Sequence, residues 1–303
     1  MRTITRCVVP CLVALGALML VATAASAQAT WPSSLNWTLG VSTDEASRLQ
    51  TSATFKGPIG KNLGLTLGGW WIAGGDDNRA YVGDAYIDYD SDSLYVAGGR
   101  KFVVFGPAGL LVSPGLWGGE LQLRSERVTV QGIAGTLAFT PVTGGTRFTF
   151  AGNRVPSDED ISAVRLGVLL TDPNASVPIT VGGNWIDVLD DSGTSIDIDI
   201  GLSETVSLFG EAADYNDVDA HVYGFRWTDQ RTTTDPVRHT IVVLYERDVP
   251  LGFVPATVGA TQYFEEQDGW AGGIYHQFAP RRGIGLYADS NDAILTLFGS
   301  EPL

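Results

Sequence analysis

Apolar and polar residues alternate along most of this chain, from Leu35 to Phe298. In residues 35–42, Leu, Trp, Leu and Val alternate with Asn, Thr, Gly and Ser, and in residues 195–200 Ile alternates with Ser and Asp. Successive side chains of a β-strand point to opposite faces, so each run predicts a strand with one oily face and one small or polar face. Helical periodicity is nearly absent, and the pattern therefore predicts an all-β protein.

Clusters of Gly, Pro, Asn and Asp separate these runs and predict turns, as at residues 57–62, 141–145 and 215–217. The runs between them predict about 16 strands, within a range of about 14 to 18, most of about 8 to 12 residues. Strands of soluble domains are usually shorter, at about 5 or 6 residues. We therefore expect an antiparallel transmembrane β-barrel, with oily side chains facing lipid and polar ones facing the interior.

The first 27 residues have the features of a signal peptide. Arg2 and Arg6 precede an apolar run, and small residues occupy positions 25–27. The sequence thus predicts an exported protein whose single barrel domain spans residues 28–303. Both cysteines, Cys7 and Cys11, lie in the leader, which excludes disulfides and thiol catalysis in the mature chain.

Composition narrows the class further. The chain has 19 basic and 34 acidic residues and a formal net charge of −15. Nucleic acid is not an expected partner, because its binding depends on Lys and Arg that neutralise phosphates. The 37 Gly and 8 Trp, with only 17% charged residues, fit a β-rich chain with many tight turns. After the leader, no stretch approaches the roughly 20 apolar residues of a spanning helix.

Sites for catalysis and metal binding are not evident. A hydrolytic triad needs a positioned His, and the nearest nucleophile elbow, residues 111–115, lacks its first Gly. The Asp88, Asp90 and Asp92 series lacks the Gly and Glu that complete a calcium loop. We expect no catalytic residues, no metal and no cofactor, and hence no enzyme.

Residues 94–106, LYVAGGRKFVVFG, form a short motif. The stretch resembles the strand of Gram-negative porins in which a Gly-Arg pair precedes a short apolar step and a Gly. The resemblance implies that the next connection, residues 103–119, is a long loop that folds into the barrel and narrows the pore. It would be the third external loop if the first strand runs outward. Since Phe105 to Gly118 has no charged residue, the constriction would be steric and apolar, with Arg100 and Arg124 at its ends.

Polar residues opposite the oily ones are expected to line the lumen and to set its ion preference through their local field. These predicted pore-lining residues are Arg100, Glu120, Gln122, Arg124, Gln131, Arg147, Arg165, Asn184, Asp197, Asp199, Glu211, Arg226 and Arg238. The alternative interpretation is a structural ladder of salt bridges that fills a closed barrel.

These features predict an outer-membrane porin of a Gram-negative-type bacterium, through which small hydrophilic solutes or ions diffuse passively. Its partners would be outer-membrane lipid and the solutes themselves, and the sequence leaves open the solute, the ion preference and assembly as a homotrimer. A different hypothesis is a secreted soluble β-protein that binds or cleaves carbohydrate, with Trp37, Trp70 and Trp71 as stacking platforms. A third is a structural barrel that inserts in the membrane without conducting.

Overall fold

The computed structural model describes residues 33–42, 48–74, 77–138, 159–188, 190–231, 238–250, 253, 267–279, 282–289 and 293–302. The predicted signal peptide lies outside these residues. The described residues form sixteen strands: β1 (Ser33–Ser42), β2 (Arg48–Gly60), β3 (Leu63–Gly74), β4 (Asp77–Asp90), β5 (Leu94–Phe102), β6 (Gly115–Arg124), β7 (Val128–Leu137), β8 (Asp160–Leu169), β9 (Ile179–Val188), β10 (Asp191–Gly201), β11 (Val206–Tyr215), β12 (Val218–Arg231), β13 (Arg238–Val249), β14 (Gln267–Ala279), β15 (Arg282–Ala288) and β16 (Ala293–Pro302).

Each strand pairs antiparallel with its neighbours in sequence, and the first strand pairs with the last. The closing ladder between β1 and β16 runs from Ser34 opposite Pro302 to Ser42 opposite Ile294. Closure leaves no sheet edge unpaired, which removes the usual site of edge-to-edge aggregation. The prediction of an all-β antiparallel barrel of about 16 strands is confirmed. No helix in the described part of the chain is long and apolar enough to cross a membrane.

The up-and-down order places the connections at two ends of the barrel. We call the end that holds Ser33 and Pro302 the terminal end, and the opposite one the loop end. The turn between β11 and β12 at the loop end has two residues with positive φ, Asn216 at 54° and Asp217 at 60°. Two such residues are typical of the tight hairpin turn that matches strand twist. The connection from β5 to β6 is the third at the loop end.

The outer face of the barrel is apolar and exposed. On β10, Ile196 is 69% exposed and Ile198 is also exposed, whereas the intervening Asp197 is buried. The same alternation places these further side chains on the outside: Ile87, Val96, Leu121, Leu123, Val130, Val164, Leu166, Leu208, Leu244, Ile274, Leu286, Leu295 and Leu297. An exposed apolar surface of this extent marks a membrane or protein interface.

The inner face differs from the expected polar lining. One side of the interior holds a continuous apolar core in which residues of β7–β13 pack against the β5–β6 connection. Its members from the wall include Ile133, Ile161, Ile186, Phe209, Val222 and Val243. The reason is that a segment of chain inside the barrel gives the wall apolar partners, so these inner positions do not contact water.

Candidate pore constriction

The connection from β5 to β6, residues 103–114, forms a hairpin inside the barrel, which we call the inner segment. Its two arms are joined by hydrogen bonds from the Val103 amide to the Pro114 carbonyl, 3.0 Å, and from the Phe105 amide to the Val112 carbonyl, 2.9 Å. Phe105 and Val112 have no exposed surface. The expected loop of residues 103–119 is therefore shorter, because residues 115–119 already belong to β6.

The tip of the inner segment is attached to β11 and β12, six strands and more away from β5. The amides of Leu110 and Leu111 both donate to the Glu211 carboxylate, at 2.9 Å and 3.3 Å. The Arg226 guanidinium donates to the Pro107 carbonyl at 3.3 Å. These contacts hold the segment across the lumen.

Gly106 allows this close approach to the wall. Its φ is 70°, in the left-handed region that favours glycine. A Cβ at this position would lie 3.0 Å from a carboxylate oxygen of Asp197 and 3.2 Å from a guanidinium nitrogen of Arg165. A larger residue there would push the segment away from these side chains.

A hydrogen-bonded network on β8–β11 lies beneath the segment. Arg165 pairs with Asp197 through both of its terminal nitrogens, one of them at 2.8 Å, and also donates to Asn184 at 3.0 Å. Asn184 donates to Ser195 at 2.8 Å, and Ser195 donates to Glu211 at 2.9 Å. The network links a wall ion pair to the carboxylate that binds the inner segment.

A second network centres on Glu120 of β6. This buried carboxylate pairs with Lys101 and accepts hydrogen bonds from Gln122 and from Gln131, the latter at 2.7 Å. Lys101 also donates to the Tyr95 hydroxyl at 2.8 Å. Its ammonium lies 4.7 Å from the Tyr95 ring centre, within the range of a cation–π contact.

Strand register joins the two networks into one band around the inner wall, which we call the polar belt. Each member lies directly opposite the next on the neighbouring strand. In order around the wall, the belt consists of Tyr95, Gln122, Gln131, Arg165, Asn184 and Ser195. Glu120 is bonded to the belt from the row on its loop-end side, and Asp197 and Glu211 are bonded to it from the row on its terminal-end side.

Most of the predicted pore-lining residues thus lie together on the inner wall. Seven belong to the belt and the two rows beside it: Glu120, Gln122, Gln131, Arg165, Asn184, Asp197 and Glu211. Arg226 holds the inner segment, and Asp199 follows Asp197 by two positions on the same face of β10. Arg147 and the side chain of Arg238 lie outside the described residues.

Two predicted positions differ from expectation. Arg124 is at the terminal end of β6, where it pairs with Asp90 at 2.9 Å, so it does not flank the inner segment. Arg100 lies opposite Trp117, whose side chain is on the outer face, yet it is buried and donates to the Gly83 carbonyl at 2.7 Å. The φ of 134° at Gly99 interrupts the alternation just before Arg100.

Sequence reasoning missed Lys101 and Ser195. Lys101 lies on the inner face with Tyr95 and Ala97, and its contacts with Glu120 and Tyr95 place it there, although Gly99 interrupts the alternation. Ser195 is small and uncharged, and only its hydrogen bonds to Asn184 and Glu211 reveal its role.

A further inward cluster near the loop end was also missed. Arg247 of β13 pairs with Asp289, just after β15, at 2.8 Å, and the Tyr287 hydroxyl donates to the same carboxylate at 3.1 Å. The hydroxyls of Tyr245 and Tyr287 lie 3.2 Å apart. Among the residues that the structure describes, no group of His, Cys, Asp and Glu side chains is arranged to hold a metal ion.

No protein-family model matches the chain, and no curated protein is similar to it in sequence. Solved structures are similar in fold. The high-pH structure of OprB from Pseudomonas putida is 9% identical in sequence and has a TM-score of 0.55. The match covers 89% of this chain and 94% of the OprB chain. The low-pH structure of the same protein has 11% identity, coverages of 89% and 92%, and a TM-score of 0.51. An engineered protein described for asymmetric conductivity has 9% identity, coverages of 90% and 99%, and a TM-score of 0.51.

Proposed function

We propose that the protein is an outer-membrane porin, through which small hydrophilic solutes or ions diffuse passively. The observation that carries this proposal is a closed barrel of sixteen strands with exposed apolar residues outside and a belt of charged and amide side chains inside. Barrels of 16 to 18 strands are wide enough to leave an aqueous channel. The fold shared with OprB, and with an engineered protein described for its conductivity, supports the same proposal.

The inner segment supplies the narrowing. It occupies the side of the lumen that faces β8–β12, since its tip is bonded to Glu211 and Arg226. The opposite wall carries inward polar side chains such as Lys56, Asp88 and Tyr95. Solutes would therefore pass between an uncharged inner segment and a polar wall, and the limit on their size would be steric.

Reconstitution in a planar lipid bilayer tests the proposal. Purified, folded barrel is added to one chamber at fixed voltage, and stepwise increases of conductance are expected as single barrels insert. Protein that has been unfolded by boiling serves as the control and is expected to give no steps. A folded barrel that inserts without conducting would contradict the proposed function.

A second candidate function is favoured by the apolar core. Phe105, Leu111 and Phe253 are fully buried inside the barrel, and in this alternative the lumen is the core of a closed structural barrel of the cell surface. This candidate predicts membrane insertion without conductance in the same experiment. Assembly as a homotrimer stays a prediction, which crosslinking in intact outer membranes tests.

A further inference from the structure

We propose that Glu211 is the latch that holds the inner segment against the wall and thereby sets the width of the pore. This inference rests on the proposed porin function. It concerns one positioning residue, on β11, which is separated from the segment it binds by about 100 positions in the sequence.

The first argument is the number of contacts that converge on this one carboxylate. Both of its oxygens are used: Oε2 accepts from the Leu110 amide, and Oε1 accepts from the Leu111 amide and the Ser195 hydroxyl. Two successive amides at the tip of a hairpin point their hydrogens at the same group. No other side chain among the described residues receives hydrogen bonds from the amides of the inner segment.

The second argument is how the Glu211 charge is compensated. The carboxylate is 3% exposed, and no Lys or Arg among the described residues pairs with it. A buried charge is tolerated only when it is paired or fully hydrogen-bonded. Two of the three hydrogen bonds to Glu211 come from the inner segment, so undocking of the segment would leave the carboxylate with Ser195 as its one partner within the described chain. The wall charge and the docked segment therefore depend on each other.

The third argument is that the inner segment offers no charge of its own for a salt bridge. Apolar packing around Phe105 and Leu111 favours burial but is non-directional, so it does not fix how far the tip extends across the lumen. The directional contacts at the tip are those to Glu211 and the weaker one from Arg226 to Pro107, at 3.3 Å. Glu211 is thus the group that selects the docked position.

Thiol labelling tests the latch without relying on conductance. Val112, which has no exposed surface, is changed to Cys in a chain that also carries Cys7→Ala and Cys11→Ala, and the rate of maleimide labelling reports undocking. With Glu211→Gln, an amide NH₂ faces backbone donors, and labelling is expected to become about tenfold faster, which corresponds to about 1.4 kcal/mol. Glu204→Gln, in the exposed turn between β10 and β11, makes the same change of charge and is expected to label like the parent.

Liposome swelling with uncharged sugars then tests the effect on width. Since these sugars carry no charge, a higher size limit in Glu211→Gln reports a wider opening rather than an altered field. Ser195→Ala removes one hydrogen bond to Glu211 without changing the charge, and we expect an increase in the sugar size limit smaller than that of Glu211→Gln. This variant tests the latch if Glu211→Gln fails to fold.

The outcomes separate the latch from the porin. Unchanged labelling and an unchanged sugar limit in folded Glu211→Gln would overturn the latch while leaving the porin intact. If the parent admits no sugar but Glu211→Gln labels faster and admits sugar, the latch is supported and passive diffusion through the parent is contradicted. If labelling accelerates and no variant admits sugar, the latch controls docking only, and its role in pore width is overturned.

Discussion

Asp197 and Glu211 lie directly opposite each other on β10 and β11, and both are buried, but their charges are compensated in different ways. Asp197 pairs with the guanidinium of Arg165, a contact within the wall itself. Glu211 accepts hydrogen bonds from two backbone amides of the inner segment. At the scale of single residues, one acid therefore stabilises the wall and its neighbour stabilises the docked inner segment.

Removal of Arg165 is expected to destabilise the barrel strongly. Arg165→Met leaves the Asp197 carboxylate, whose side chain is 1% exposed, without its cation, and should lower the free energy of unfolding by about 3 to 5 kcal/mol. The matched control is Arg127→Met, which breaks an exposed pair with Asp172 and should cost about 1 kcal/mol or less. Urea unfolding of the barrel in lipid vesicles measures both. Equal losses in the two variants would contradict a buried ion pair.

Adjacent glycines on β6 have different roles at the scale of the strand. Gly118 lies on the inner face opposite Gly135, and a Cβ added there would be 2.2 Å from the Ala134 carbonyl oxygen. Gly119 points outward, where the nearest atom to such a Cβ, the Ala97 carbonyl oxygen, is 3.7 Å away. On β6, close backbone approach to β7 thus requires glycine at position 118 but not at position 119.

The two glycines therefore predict opposite tolerance to alanine. Gly118→Ala should separate β6 from β7 and cost about 1 to 3 kcal/mol, as overpacking does. Gly119→Ala adds the same methyl group to an open surface and is expected to leave stability unchanged or slightly higher. The temperature at which the folded band disappears in detergent electrophoresis compares them. A similar decrease of this temperature in both variants would show that the close contact at Gly118 does not determine stability.

At the scale of the whole molecule, the apolar outer face indicates which medium surrounds the barrel. Ile196 lies near the middle of β10 and is 69% exposed, so in the proposed membrane it faces the lipid core. Ile196→Arg is expected to cost about 2 to 4 kcal/mol of unfolding free energy in lipid vesicles. Ser203→Arg, in the turn at the terminal end, places the same side chain in water and is the control. If Ile196→Arg lowers the unfolding free energy no more than Ser203→Arg does, the wall at Ile196 does not face lipid.

Some features of the inner wall and the inner segment could be predicted from the sequence and some could not. The alternation identifies which side of each strand a residue occupies, and for that reason it places Glu120, Asn184, Asp197 and Glu211 inside the barrel. Their partners depend on strand register and on a hairpin that meets β11 from a distant part of the chain. No local pattern encodes which wall carboxylate the Leu110 amide will meet.

The strand faces, the approximate number of strands and the uncharged character of the inner segment follow from the amino-acid sequence alone, because a period of two and the composition specify them. The tertiary structure adds that one side of the interior is an apolar core, that Arg124 lies far from the inner segment and that Glu211 binds the segment tip. Barrel closure is the physical reason, since it brings together side chains on strands that are distant in sequence and sets their register at the same time.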